Sequence, residues 1–286
     1  MRKHRVLDRP VISIVLLILL GFALNIILQI PGAVMGLKAG SDGHSIYTMI
    51  ISALQLLITE LLFTGLMFRN EFTGTLRGRI GLGFKLLLPI VALDIVSFAA
   101  DRLYYPDNSL NSILWVLSMS FTAGVTEELI FRSLTLANLM RVWHTRGRMM
   151  AGVLITSLVF GLVHLSNISL AGAEHWNTVV QTGSAVCFGV FISAVYLRCG
   201  SILPCMFYHF YHDVLSMLFM KMTEAGGIAE EFTSFSLAEN LLFDVILLIW
   251  GLYLLRKSKY EEIREIWDEK WHIAAEPQAI TEPENC

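Results

Sequence analysis

Gly124-Val125-Thr126-Glu127-Glu128-Leu129-Ile130-Phe131-Arg132 sets two adjacent carboxylates and a guanidinium inside a run, about 111–140, that otherwise reads as a membrane-crossing helix. An ionised side chain at mid-bilayer costs about 2.5–3.5 kcal/mol on insertion scales, so three on one short segment need a reason. On a helix Glu128 and Arg132 are i,i+4 neighbours and can pair. Glu127 points about 100° away and cannot use that partner equally well. One carboxylate is thereby neutralised and the other is left facing something else, the asymmetry a general base requires.

The rest of the chain has the composition to surround such a segment with lipid. Of its 286 residues 55% are hydrophobic and only 16% are charged; the mean hydropathy is +0.62. A soluble domain carries about 25% charge. The apolar residues come in blocks of about 20, the length that crosses a bilayer as helix. The fold class is therefore an all-α, polytopic membrane protein. A net charge of −3 argues against a nucleic-acid partner. Cys187, Cys199, Cys205 and Cys286 show no C-x-x-C spacing and read as free thiols.

Eight spans are expected, at about 11–30, 46–68, 80–100, 111–140, 149–165, 178–197, 202–220 and 237–255. The first is too long for the apolar core of a signal peptide, about 7–15 residues. With the N-terminus inside, Arg2, Lys3, Arg5 and Arg9, the basic loop 69–79, Lys85, Arg141, Arg146, Arg148, Arg198, Arg256, Lys257 and Lys259 all fall inside, whereas the outside loops hold Lys38, Arg102 and Lys221. Such a bias sets orientation, and it places both termini in the cytoplasm. Residues 1–256 form a single transmembrane domain and 257–286 a cytoplasmic tail. Ile263, Ile266, Trp267 and Trp271 recur at helical spacing there, as in an interfacial helix, and the Pro277 and Pro283 region beyond reads as disordered.

Two more spans carry polar groups at depth. Phe160 and His164 stand one turn apart in the fifth, and His209 and Asp213 one turn apart in the seventh. From a rise of ~1.5 Å per residue, Glu127 and His164 lie ~20 Å from the cytoplasmic ends of their helices, His209 ~10 Å and Asp213 ~16 Å. One shared cluster is compatible with these depths. Ala123 and Gly124, just before the glutamates, would leave room for water or a peptide. His212 is open between a third imidazole in the site and a neighbour on the packed face. Glu60, Asp94 and Asp244 stand singly and read as packing or water-cavity residues. Transporters also cluster such groups, so the set alone does not name an enzyme. No H-E-x-x-H, G-x-S-x-G, G-x-G-D or G-x-S-G motif offers another intramembrane chemistry.

In order and spacing the three segments resemble the signature of the CPBP family, the CAAX-protease and bacteriocin-processing intramembrane proteases also called Abi proteins. That signature is E-E-x-x-x-R, F-x-x-x-H and H-x-x-x-N or D, here Glu127, Glu128 and Arg132, then Phe160 and His164, then His209 and Asp213. The resemblance covers about residues 110–220. It implies an eight-helix core related to the Ras-converting CAAX endoprotease, and hydrolysis of a peptide bond in a membrane-associated protein or peptide. By it Glu127 activates water with help from His164, Arg132 holds Glu128, and His209 and Asp213 stabilise the oxyanion or bind metal. Asp213 departs from the Asn of the eukaryotic CAAX enzymes. An acidic group is a better metal ligand and a worse neutral donor, which leans toward metal. His164, His209 and Asp213 would suit Zn²⁺ with one open position; a metal-free glutamate mechanism stays open beside it.

Two readings compete with the endopeptidase. One is a non-catalytic scaffold or bacteriocin-immunity protein that keeps the polar cluster for structure; the other is a proton- or ion-coupled transporter. The intact signature favours the enzyme, since a scaffold has no need of both Glu127 and His164. A prokaryotic plasma membrane is the expected location.

Overall fold

Along the second span the pattern is inside out. Its buried residues are Ser45, Thr48, Ile51, Ser52, Gln55 and Thr59, while Ile46, Ile50, Leu54, Leu57 and Leu61 are exposed. Small and polar side chains let helix backbones approach, and apolar ones face the lipid, where every backbone polar group must already be satisfied within the helix. The chain is a multi-pass membrane protein on this ground. The computed structural model describes residues 6–69, 71–104, 113–169, 175–218, 221–222, 228–229 and 234–273.

Among the described residues ten α-helices follow in order. They are α1 (Pro10–Val34), α2 (Asp42–Glu60), α3 (Ile80–Tyr104), α4 (Ile113–Glu128), α5 (Ala137–Val142), α6 (Arg146–Val163), α7 (His175–Cys199), α8 (Leu203–Met217), α9 (Ser234–Leu254) and α10 (Tyr260–Lys270). A π segment, Leu61–Met67, prolongs α2, and a second, Leu129–Leu136, joins α4 to α5 without a break. Ser41 caps α2 by accepting from the His44 N–H, and Thr145 caps α6 by accepting from that of Arg148. Two two-residue strands, Lys221–Met222 and Ile228–Ala229, pair antiparallel.

Seven helical runs among the described residues are long and apolar enough to cross a membrane, against the eight expected. The difference falls on the expected seventh span. Here α8 has 15 residues, which at 1.5 Å each is ~22 Å, short of the ~30 Å hydrocarbon core. It does not need to face lipid along its whole length, because it packs against α3, α4 and α7. The centre of the fold is α7, in which every residue from Phe188 to Cys199 is buried. A helix buried all round must be sheathed by others, and α3, α6, α9 and α10 pack on it.

The segments assigned by charge to the inside gather at one end. The Asp8 carboxylate pairs with Arg141 at 2.7 Å, and Asn138 donates to Leu7 O. The loop after α2 is held by Glu60, whose Oε1 accepts from the Thr75 N–H, the Thr75 hydroxyl and the Leu76 N–H. That loop joins the α7–α8 turn through Ile202 N–H to Thr75 O and Ser201 Oγ–H to Leu76 O. Over them lies α10. Its expected interfacial face is spent on protein: Ile263, Ile266, Trp267 and the following Trp271 are buried. Trp267 donates to Leu197 O, Trp271 donates to Ala137 O and stacks on Phe72, and Lys270 Nζ donates to Gly74 O and Arg77 O. Burial pushes the Lys270 ammonium down to about 8. The helix beyond residue 256 is thus packed onto the membrane-spanning unit; the expected disorder around Pro277 and Pro283 falls outside the described residues.

One glycine fixes how closely α4 meets α8. A Cβ on Gly124 would lie 2.9 Å from Phe210 N and 3.1 Å from Met206 O, backbone atoms that cannot yield without moving α8. The space expected there for water or a peptide is taken by that helix. Gly124→Val should therefore cost about 1–3 kcal/mol of stability, read as a lower melting temperature in detergent; an unchanged melt would mean the helices are not in contact.

Candidate active site

The carboxylate-rich motif lies where α4 passes into its π segment, with Arg132 inside that segment. Such interruptions of an α-helix recur at functional sites. Thr135 Oγ–H donates to Ile130 O, five residues back, at 2.8 Å, which satisfies a carbonyl of the widened turn.

The two glutamates are treated differently, as their spacing requires. Glu128 is fully buried. Its Oε1 accepts from Arg132 Nη1–H at 3.0 Å and from His209 Nδ1–H at 2.9 Å. Arg132 is itself 1% exposed, donates through Nη2 to Gly189 O at 3.4 Å, and lies 4.5 Å from the centroid of the Phe160 ring. A guanidinium over an aromatic face gains from the ring quadrupole, more so when water is excluded. Glu127, by contrast, is 28% exposed, and its nearest charged partner is His209 Nε2 at 3.8 Å. It is the more accessible and more loosely held carboxylate.

His209 and Asp213 come from α8, one turn apart. Their side chains are 7% and 20% exposed, with His209 Nε2 to Asp213 Oδ2 at 3.6 Å. The imidazole is thus spent on the buried side, through Nδ1, and turned toward both accessible carboxylates through Nε2. His164 follows α6. Its Nδ1 lies 2.9 Å from Phe160 O, an atom that can only accept, so the proton is on Nδ1 and a neutral ring offers a lone pair at Nε2. It is within electrostatic range of both Glu127 and Asp213. Five of the six expected groups form one chain of contacts through His209 and Arg132, and His164 joins them through the Phe160 ring, which abuts His164, His209 and Arg132. Glu128 and Arg132 form the sealed back of the site, His209 bridges back and front, and Glu127, His164 and Asp213 stand at the front.

Phe160 does more than mark a motif: its carbonyl sets the His164 tautomer and its ring covers Arg132. Nothing in the spacing of F-x-x-x-H distinguishes those roles. Asp94 and Tyr208 had no sequence signal beyond one buried acid and one aromatic, yet they form a second network with His212. Tyr208 Oη–H donates to Asp94 Oδ2 at 2.9 Å and His212 Nδ1–H to Oδ1 at 3.0 Å. Asp244 accepts from Ser184 at 2.6 Å. Gln55 accepts from Asn25 and Thr126 and donates to Gly21 O, tying α1 and α2 to the residue before Glu127.

Among the described residues no three His, Cys, Asp or Glu side chains converge to hold an ion. His209 gives Nδ1 to Glu128 and keeps Nε2 toward Glu127 and Asp213, an orientation compatible with either an oxyanion donor or a metal ligand.

Residues 109–215 match the family described as Rce1-like, type II CAAX prenyl endopeptidase Rce1-like. That is the family the three motifs resemble, and the match spans all of them. No curated protein and no solved structure matches the chain.

Proposed function

From residues 109–215, which carry the Rce1-like match, we propose that this chain is an intramembrane endopeptidase that hydrolyses a peptide bond of a membrane-associated protein or peptide with water activated by Glu127. The observation that supports it most is the inequality of the two glutamates: one sealed between Arg132 and His209, the other 28% exposed and only loosely paired with His209 at 3.8 Å.

The proposed steps use the side chains already described. In the proposed reaction the attacking water is held between Glu127 and the His164 Nε2 lone pair. Glu127 takes its proton as the oxygen bonds to the scissile carbonyl carbon. Charge develops on the carbonyl oxygen, and His209, held through Nδ1 by Glu128 and facing Glu127 and Asp213 through Nε2, donates to it; fixed donors aimed at such an oxygen are commonly worth about 2.7–4 kcal/mol. Asp213, 3.6 Å from Nε2, orients the ring. The carbon–nitrogen bond then breaks, and the proton on Glu127 passes to the departing amine. No step needs a metal.

A purified-protein assay with a quenched peptide library, run with and without a strong chelator, tests this. Cleavage is expected, with a rate unchanged by the chelator; inhibition that is reversed by added zinc would refute the metal-free route. Absence of any cleavage would favour the scaffold or immunity reading. The end of the molecule that gathers residues 6–9, 69–79, 141–148, 198–201 and 256–273 is placed in the cytoplasm of a prokaryotic cell. Thiol labelling from outside intact cells should then spare a cysteine placed at Glu71; labelling there would invert the orientation.

A further inference from the structure

The acid on α3 is joined to the helix that carries half of the reactive groups. Asp94 is buried, and it uses both oxygens on α8: Oδ2 accepts from Tyr208 and Oδ1 from His212. Tyr208 and His212 are one helical turn apart, so the two bonds grip α8 at two heights along one edge. His209 and Asp213 each follow by one residue, ~100° further round the axis. One short helix thus turns an anchor edge to α3 and a reactive edge to α4.

We propose that Asp94 is a positioning residue of the hydrolytic site: it sets the rotation of α8, and through that rotation the placement of His209 and Asp213 beside Glu127. The catalytic part of this inference rests on the endopeptidase reading; the geometric part does not. Two further observations favour it. With 15 residues, α8 is too short to be fixed by headgroups at both ends, so its azimuth depends on protein contacts. The aromatic packing also couples the two edges. Phe188 of α7 lies 4.8 Å from the His209 ring, 5.7 Å from His212 and 6.0 Å from Tyr208, while Phe243 of α9 stacks on His212 at 5.6 Å and 5°. Turning one imidazole pushes the same Phe188 ring that abuts the other. The gaps from His209 Nε2 to Glu127 and Asp213 are 3.8 and 3.6 Å, and a misplacement of about 1 Å can cost about 10²-fold in rate.

The test separates anchoring from chemistry and from plain stability. In Asp94→Asn the amide keeps one acceptor and sets a donor against the other partner. Turnover should fall about 10²-fold with KM nearly unchanged, the pattern of misplaced reacting groups, while the melting temperature stays close to that of the wild type. His212→Phe, which removes the donor, should behave alike. His212→Asn places an amide N–H where Nδ1–H was, so it should restore at least about tenfold of the lost turnover. Wild-type turnover in Asp94→Asn, or a His212→Asn variant as slow as His212→Phe, would overturn the proposal, the latter by showing that His212 itself takes part in the chemistry. In parallel, the ring ¹⁵N signals of His209, assigned through a His209 variant, should move in Asp94→Asn; unmoved signals would also overturn it. That measurement needs no substrate. If the wild-type protein cleaves nothing, the endopeptidase reading fails while the His209 signals still decide whether Asp94 sets the helix.

Discussion

Glu127→Ala protein is expected to cleave no peptide while remaining folded and inserted. The effect should be large because Glu127 is the group that takes the proton of the attacking water in the proposed reaction. General-base catalysis alone commonly contributes about 10²–10⁴-fold. Glu128 cannot substitute, since its accepting oxygen is held by Arg132 and His209 and its side chain is fully buried. Folding should not suffer, because Glu127 is 28% exposed and its closest ion-pair distance is 3.8 Å. Glu127→Gln keeps the shape and should be equally inactive. The measurements are turnover of the quenched peptide and the melting temperature of each variant in detergent. Substantial turnover by Glu127→Ala would remove the base from the mechanism; an unfolded Glu127→Ala beside a folded, inactive Glu127→Gln would still leave the assignment standing.

Arg132→Met should be the most destabilising single change in the site. The guanidinium is 1% exposed and its partner 0%. Removing one member of such a pair leaves the other charge buried and uncompensated, which typically costs about 3–5 kcal/mol. Losing the contact between Arg132 and the Phe160 ring adds to it. Little folded protein should be recovered from membranes. Combining Arg132→Met with Glu128→Gln removes the stranded charge while keeping an oxygen for His209, so the double variant should regain much of the melting temperature; recovery of that kind identifies the loss as electrostatic. A single Arg132→Met variant as stable as the wild type would sink the view of the pair as a clamp.

The membrane class and the pairing of Glu128 with Arg132 were legible because they depend on local spacing. Apolar blocks of about 20 residues have few alternatives in water, and two residues four apart on a helix meet whatever surrounds them. The Gly124 space, the length of α8 and the seat of α10 were not legible. Each depends on what a distant segment does: α8 fills the surface beside Gly124, and the loop after α2 covers Trp271. Amphipathic spacing in residues 263–271 states only that one face seeks an apolar surface, and lipid and protein satisfy it equally. The two π segments had no sequence signal either, since an extra residue in a turn leaves the apolar pattern nearly unchanged.

By itself the chain determined that three helices would carry a carboxylate pair, an arginine, two imidazoles and an aspartate, because those residues cannot be spread through lipid without partners. Only the tertiary structure decided how they divide the work. Which oxygen of Glu128 takes both donors, which nitrogen of His209 faces Glu127, and that Asp94 rather than Asp213 receives His212, are matters of distance between helices far apart in sequence. A hydrogen bond is decided over tenths of an ångström, and residue spacing carries no information at that scale across separate helices.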